Sequence, residues 1–325
     1  MATIHDVAKL AGVGTGTASR ALNLSGPVSD EAFAKVQAAA EKLGYRPSSA
    51  ARALSRRQQG LIGVVTPQFD GNFFGSLLQL AEQEIRGAGK HLMVASARGR
   101  DGAPGQDAEA LAFLEERDCD GLLLLGSALT DRELILLAER QPALAIFNRL
   151  VPDLAERCFA IDHEAAGRAV AEQLLALGHR SFAAITGPKL SADAMARQRG
   201  YAKALAAAGY PLPPELIATG NYAFTGGVAG AEALLASERP FTACFCGNDE
   251  MAISANYVFQ AAGRQVSLFG YDNTAALQFS GLKISSVAIP TAAMVQNACA
   301  LLLNLCYGSA LPVSHNFQPQ LVLRN

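Results

Sequence analysis

Arg20 closes the segment Thr15-Gly16-Thr17-Ala18-Ser19-Arg20. Here Ala18, Ala21 and Leu22 recur as the inner face of a short helix, leaving Thr15, Gly16, Ser19 and Arg20 on the outer one. A guanidinium and small hydroxyls gathered on one outward face suit a polyanion better than a catalytic step. The rest of the chain offers little catalytic chemistry. His5, His91, His163, His179 and His315 show no partnered spacing, and there is no P-loop, GxSxG elbow or GxGxxG after a strand. His163 beside Asp162 is the one tempting pair, and the start of a helix accounts for it. The six cysteines are scattered, and Cys244 and Cys246 form only a CxC within an apolar run. They read as small buried hydrophobes, with no metal site, cofactor or enzymatic activity expected.

The elements that must position Arg20 can be read from the first 44 residues. Thr3-Ile4-His5-Asp6 has the form of a capping box, and Ile4, Val7, Ala8 and Ala11 put one apolar stripe on a first helix that Gly12 ends. The turn Gly12-Val13-Gly14 leads into the Arg20 helix, so the pair forms a helix-turn-helix. Ser29 is a suitable N-cap for a third helix, on which Phe33, Val36, Ala40 and Leu43 are expected to close the small core before Gly44. Residues 1–60 carry Lys9, Arg20, Lys35, Lys42, Arg46, Arg52, Arg56 and Arg57 against Asp6, Asp30, Glu31 and Glu41. That is a net +4 in a chain whose total is −2, so the remainder carries −6. A basic head on an acidic body is the balance expected of a head that meets polyanions.

The chain has 325 residues, half of them hydrophobic, which exceeds what a single core usually holds. The start MATIHDVAKL has no apolar leader core, and no run approaches the ~18 apolar residues of a membrane helix. A cytoplasmic location without membrane association is expected. From Leu61 onward, apolar runs at 61–66, 92–97, 121–125, 143–147, 181–186, 243–247 and 266–270 alternate with helical stretches at 74–88, 107–117, 163–177, 195–208 and 226–237. Such alternation predicts parallel sheets, here two doubly wound lobes behind an all-α helix-turn-helix head. The expected division is a head at 1–46, a short helical segment and linker at 47–60, and a body at 61–325. Within the body, the first lobe takes 61–160 and about 290–311, and the second takes 161–289 and about 312–325. In open parallel sheets ligands bind beyond the carboxyl ends of the strands, so the cleft between lobes is the expected pocket.

ATIHDVAKLAGVGTGTASRALN, YRPSSAARAL, IGVV, FF at 73–74, FNR at 147–149, GH at 178–179, RQRGY at 197–201, NDEMA at 248–252 and FGYDN at 269–273 together resemble the LacI/GalR family of bacterial transcriptional regulators, most nearly its galactose-repressor branch. The resemblance covers essentially the whole chain. It implies that the second helix enters the major groove of operator DNA, with Thr15, Gly16 and Arg20 facing bases and Thr3, Thr17, Ser19, Asn23 and Tyr45 on phosphates. It also implies a hinge helix at 47–55 that folds in the minor groove, with Arg52 in it and Leu54 wedged between base pairs.

For the cleft, the resemblance implies an effector site of Phe73, Phe74, Asn148, Asp162, Arg197, Tyr222, Asn248, Asp249 and Asp272. Carboxylates, amides and an arginine fork suit adjacent hydroxyls, and an aromatic ring suits the C–H face of a sugar. The chain departs from the family at Gly14, at Gly16, which has no side chain to read a base, and at Ala18 and Ala21, where valines are usual. It also has Gly71-Asn72 where Asn-Pro or Asp-Pro is usual, and is shorter between Gly263 and Phe269. The resemblance implies a homodimer released from its operator by a mono- or disaccharide inducer. No leucine heptad tail follows Leu305, so no tetramer module is expected. The set Arg197, Asn248 and Asp272 also fits a corepressor such as a purine, and the body alone would suit a transporter's sugar-binding protein.

Overall fold

In the computed structural model, residues 2–23, 26–45, 58–69, 71–97, 106–189 and 191–324 are described. The chain divides into two compact units, Met1–Leu61 and Ile62–Asn325.

The first unit is helical. Helix α1 (Ile4–Ala11) opens on the capping box read from the sequence: the Asp6 N–H donates to Thr3 Oγ1, and Asp6 accepts from the Thr3 N–H at 2.8 Å. Gly12 ends it in the left-handed conformation (φ 66°), which glycine adopts without Cβ strain. Helix α2 (Thr15–Asn23) and helix α3 (Asp30–Lys42, capped by Ser29) complete the unit. Its core is Val7, Ala8, Ala11, Ala18, Ala21, Val36, Ala39 and Ala40. Two expectations fail here. Phe33 and Leu43 are each 36% exposed, and Ala39 takes the place on the inner stripe. Ala39 and Ala40 continue the stripe from Val36 at i+3 and i+4, whereas Leu43 is the C-cap of α3, beyond its last helical turn.

The second unit holds two sheets. One has strands β1 (Leu61–Thr66), β2 (His91–Ser96), β3 (Gly121–Leu124), β4 (Leu144–Phe147) and β5 (Cys158–Phe159) in the order β2-β1-β3-β4-β5. The pairs β1–β3, β3–β4 and β4–β5 are parallel. The other has β6 (Phe182–Thr186), β7 (Ile217–Thr219), β8 (Ala243–Cys246), β9 (Ser267–Asp272), β10 (Ser285–Ala288) and β11 (Gln320–Val322) in the order β11-β10-β9-β8-β6-β7. It is parallel except for the β10–β11 edge, where the chain returns antiparallel.

Helices α4 (Asn72–Gly87), α5 (Asp107–Glu115) and α6 (Asp131–Arg140) follow β1, β2 and β3. Helix α7 (His163–Ala176) precedes β6, and α8 (Ala192–Ala207), α9 (Phe224–Ala236), α10 (Asp249–Ala261) and the short α11 (Ala275–Phe279) follow β6 to β9. The last helix, α12 (Thr291–Tyr307), packs against α4, β3, β4 and β5, so the chain ends by crossing back to the first lobe and then to β11 of the second. Central strands such as β3 and β8 are buried along their whole length, which is why they read as unbroken apolar runs.

Candidate functional site: the outer face of α2 and the interlobe cleft

On α2, Ala18 and Ala21 are buried, while Gly16 and Arg20 are exposed and Thr15, Thr17, Ser19 and Asn23 are half-buried. A Cβ built on Gly16 meets nothing within 4 Å, so neither packing nor backbone conformation demands glycine there. The stem of Arg20 runs beside Gly26, and Asn23 Nδ2 donates to Ser19 Oγ at 3.3 Å. Thr3 is exposed at the tip of α1, its side chain engaged in the cap. Tyr45 packs on the edge of the helical core, and its N–H donates to the Ala40 carbonyl. Arg52 and Leu54 lie outside the described residues.

The second site is a cleft of about 620 Å³ at the carboxyl ends of both sheets. From the first lobe come Phe73, Phe74, Leu124, Leu134, Ile146, Phe147 and Asn148; from the second come Asp193, Arg197, Tyr222, Asn248, Glu250 and Asp272. One wall is mostly apolar and the other mostly polar. Phe73 packs edge-on against Phe74 (5.3 Å between centroids) and tilts against Phe147.

Arg197 organises the polar wall. It is 3% exposed; Nη1 donates to the Gly247 carbonyl at 2.6 Å, Nη2 donates to Asp193 Oδ2 at 2.8 Å, and the guanidinium lies 3.7 Å from the Tyr271 ring centroid. Tyr222 also donates to Asp193 Oδ2, at 3.2 Å, and Ser191 donates to Oδ1. Burial pushes the Asp193 carboxyl upward, but Arg197, His163 and the Ser191 hydroxyl outweigh it and hold it below the ordinary carboxylate range. Arg197 is placed by close helix packing. A Cβ on Gly167 of α7 would sit 2.1 Å from the Arg197 carbonyl oxygen, and one on Gly200 of α8 would sit 1.9 Å from that of Glu164.

Asp272 ends β9 with φ 94°, and its Oδ1 is buried without a hydrogen-bond partner, as is Arg197 Nε. Burial drives the Asp272 carboxyl up to about 7, against the pull of Arg197. Asn148 (φ 61°) and Tyr222 (φ 64°) share the left-handed backbone. All three line the cleft.

Two residues expected in the cleft do not line it. Asp162 is exposed and caps α7, accepting from the Ala165 N–H at 2.8 Å. Asp249 is fully buried beneath the floor, accepting from Ser286 Oγ and from the Thr274 N–H at 2.6 Å each, and its carboxyl is raised by burial to about 6. Asn248 lines the cleft while capping α10 through the Met251 N–H, and its Nδ2 donates to the Tyr222 carbonyl.

Three residues that organise or bridge the cleft escaped sequence reading: Asp193, Glu250 and His163. Asp193 was detectable as the i−4 partner of Arg197. Glu250 reaches across the cleft and accepts from both the Asn72 N–H (3.2 Å) and Asn72 Nδ2 (3.3 Å). Gly71, the N-cap of α4, has no side chain, so the helix carrying Phe73 and Phe74 is capped from the opposite lobe. Glu250→Ala is expected to cost about 1 kcal/mol, the usual worth of an N-cap, read as a lower melting temperature. Glu250→Gln, which keeps an acceptor, retains most of it.

The first 3–48 residues match the family model described as bacterial regulatory proteins, lacI family, and residues 171–325 match the periplasmic binding protein-like domain. The HTH-type transcriptional regulator GalR of Salmonella typhimurium is 31% identical over the whole of this chain and 96% of its own length. Among solved structures, the regulator CelR in complex with cellobiose is 28% identical (TM-score 0.71, covering 100% of this chain and 99% of that one). The lac repressor dimer bound to operator and an anti-inducer shares the fold at TM-score 0.84 and 24% identity, covering 99% and 98%. With a helix-turn-helix head and a two-lobed body matched from end to end, the chain belongs to the LacI family of DNA-binding transcriptional regulators.

Proposed function

We propose that this regulator is a homodimeric repressor that reads its operator with the outer face of α2 and leaves it when a sugar occupies the interlobe cleft. The observation that carries the effector half is the pair of buried, unpartnered polar atoms, Asp272 Oδ1 and Arg197 Nε, in a cleft whose other wall is apolar and aromatic. A buried polar atom without a partner is costly, and a neutral polyhydroxylated ligand supplies hydroxyls to the polar wall while laying its C–H face on Phe73 or Phe74. The cellobiose bound to CelR supports that class. Phe73, Phe74, Asn148, Asp193, Arg197, Tyr222, Asn248 and Asp272 would make the contacts. Effector and operator are coupled through lobe closure, so each weakens binding of the other by the same factor.

Thr15, Gly16 and Arg20 would face bases, and Thr3, Thr17, Ser19, Asn23 and Tyr45 the backbone. The exposed guanidinium of Arg20 can bridge guanine O6 and N7, and Gly16 lets the helix backbone approach the groove. Arg20→Ala is expected to cost about 1–3 kcal/mol of specific affinity while leaving binding to random duplex nearly unchanged, measured by anisotropy on fragments of the upstream region. A matching loss on random duplex would reduce Arg20 to a phosphate contact.

The whole reading is tested by thermal-shift screening against monosaccharides, disaccharides and purine nucleosides, with gel shifts in the presence of each hit. A hit that releases DNA supports it. A hit that strengthens the complex replaces the inducer with a corepressor.

A further inference from the structure

We infer that His163 is a positioning residue for effector recognition: it holds the Asn148 amide in the orientation that the Asp193 carboxylate sets, so that this corner of the cleft offers the ligand an N–H donor, and through that amide it ties the two lobes together. The inference rests on the cleft being the effector site.

His163 opens α7 in the second lobe and is 6% exposed. Its Nδ1 lies 2.8 Å from the Tyr271 hydroxyl on β9, and its Nε2 lies 3.0 Å from Asn148 Oδ1 at the end of β4 in the first lobe. Asn148 in turn donates from Nδ2 to Asp193 Oδ2 at 3.4 Å. The direction of every proton follows from one charged group. Asp193, paired with Arg197, is a carboxylate and can only accept. The amide nitrogen of Asn148 must therefore face it, which turns Oδ1 toward His163. His163 then carries its proton on Nε2, and its bare Nδ1 accepts from the Tyr271 O–H. The chain of donors runs one way, Tyr271 to His163 to Asn148 to Asp193, leaving the second lobe, entering the first at Asn148 and returning.

This order excludes an alternative. With the imidazole reversed, two acceptors would meet at Asn148, or the amide would turn its oxygen onto the Asp193 carboxylate. The Asn148 oxygen is turned toward His163, and the second N–H of the amide remains for the cleft. The open acceptor lies elsewhere, at Asp272 Oδ1. A ligand must present a lone-pair group, such as a hydroxyl or ring oxygen, at the first point and a donor at the second.

The groups that face His163 are Asp162 before it, Asp193 and Arg197 on α8, Tyr271 on β9 and Asn148. Burial and the Arg197 charge hold the ring neutral down to about pH 4, against the two carboxylates.

The test uses full-length protein with 15N-labelled histidine, followed by two-bond 1H–15N correlation from pH 8 to pH 5, with His163 assigned by its loss in His163→Gln. The expected spectrum has His163 neutral throughout, protonated on Nε2. In Asn148→Asp the ring faces a carboxylate instead of an amide oxygen, and His163 is expected to gain a proton within this range. A wild-type proton on Nδ1, titration of wild-type His163 in the range, or an unchanged spectrum in Asn148→Asp would overturn the proposal.

The binding arm uses galactose, cellobiose and cytidine. Whichever binds the wild type should bind His163→Gln, which keeps a donor for Asn148, within about threefold, and His163→Leu at least roughly tenfold more weakly. Equal affinity for His163→Leu overturns the positioning role. Failure of all three to bind the wild type counts against the ligand class proposed above, and the tautomer then decides this inference by itself.

Discussion

Arg197→Leu is expected to lower the stability of the body by about 3–5 kcal/mol and to abolish effector binding, the largest loss of any single change in the cleft. The guanidinium is almost wholly inaccessible and satisfies three neighbours at once: the Gly247 carbonyl, the Asp193 carboxylate and the Tyr271 ring. Leucine leaves the Asp193 charge buried with only hydroxyls and the Asn148 amide around it, and burying a charge without its counter-ion costs more than the pair gains. Arg197→Lys should fall between the two, because it keeps the charge but loses the fork. Urea denaturation of the three proteins at pH 7.5 measures the effect. A loss below about 1 kcal/mol for leucine would mean that Asp193 takes up a proton and that the ion pair is not what holds the wall.

Asp272→Asn is expected to change the pH profile more than the fold. The Asp272 carboxyl titrates at about 7 in the folded chain, against 3.8 ordinarily. Between these values the folded state holds a proton that the unfolded state has released. The stabilisation is complete below about pH 4 and is lost as pH rises through about 7, at up to about 1.4 kcal/mol per pH unit. Asparagine removes that slope, leaving the smaller one from Asp249, whose carboxyl sits at about 6. The variant should therefore melt higher than the wild type at pH 8 while losing effector affinity, a trade of stability against function at one atom. In the wild type, a ligand hydroxyl that donates to the carboxylate binds more tightly as pH rises through 7. Melting curves and calorimetric titrations at pH 5, 6, 7 and 8 on both proteins check this. A wild type whose stability is level from pH 5 to 8 would show that water already satisfies Oδ1.

The fold was legible wherever an element was long and one-sided or wholly buried. β1, β3, β8 and β9 are runs of apolar residues because helices cover both faces. Helices α4, α7 and α8 carry enough turns to show their period. The short edge strands β5, β7 and β11, of two or three residues, carry no readable pattern, since their existence depends on the neighbours they pair with. In the head, Phe33 and Leu43 misled because a large apolar residue was taken for a core residue: the buried stripe of α3 is Val36, Ala39 and Ala40, and Leu43 is its C-cap.

The motifs named Asn148, Arg197, Tyr222, Asn248 and Asp272, which line the cleft, but missed Asp193 and Glu250 and misplaced Asp249. Asn248, Asp249 and Glu250 are consecutive, and the 100° step of a helix sends them to three places: the cleft, the floor beneath it and the opposite lobe. A linear motif cannot say which residue goes where. His163 and Asp162 show the reverse. The capping role expected at that pair belongs to Asp162, which frees the histidine to turn inward and cross the cleft.

The glycines at 167 and 200 bring α7 and α8 so close that their backbones touch, and this governs how such a protein can be retargeted to a new signal. A methyl group at either position would displace the ribbon that holds Asp193 and Arg197, so that surface behaves as a fixed plate that selection can decorate but not move. The facing wall is different. Phe73 and Phe74 are half-buried and have no ionic partners, and altering their bulk reshapes the hollow without stranding a charge. Diversity in what such a receptor senses should accumulate on that softer side, and a library built to recruit a foreign molecule has its best starting point there.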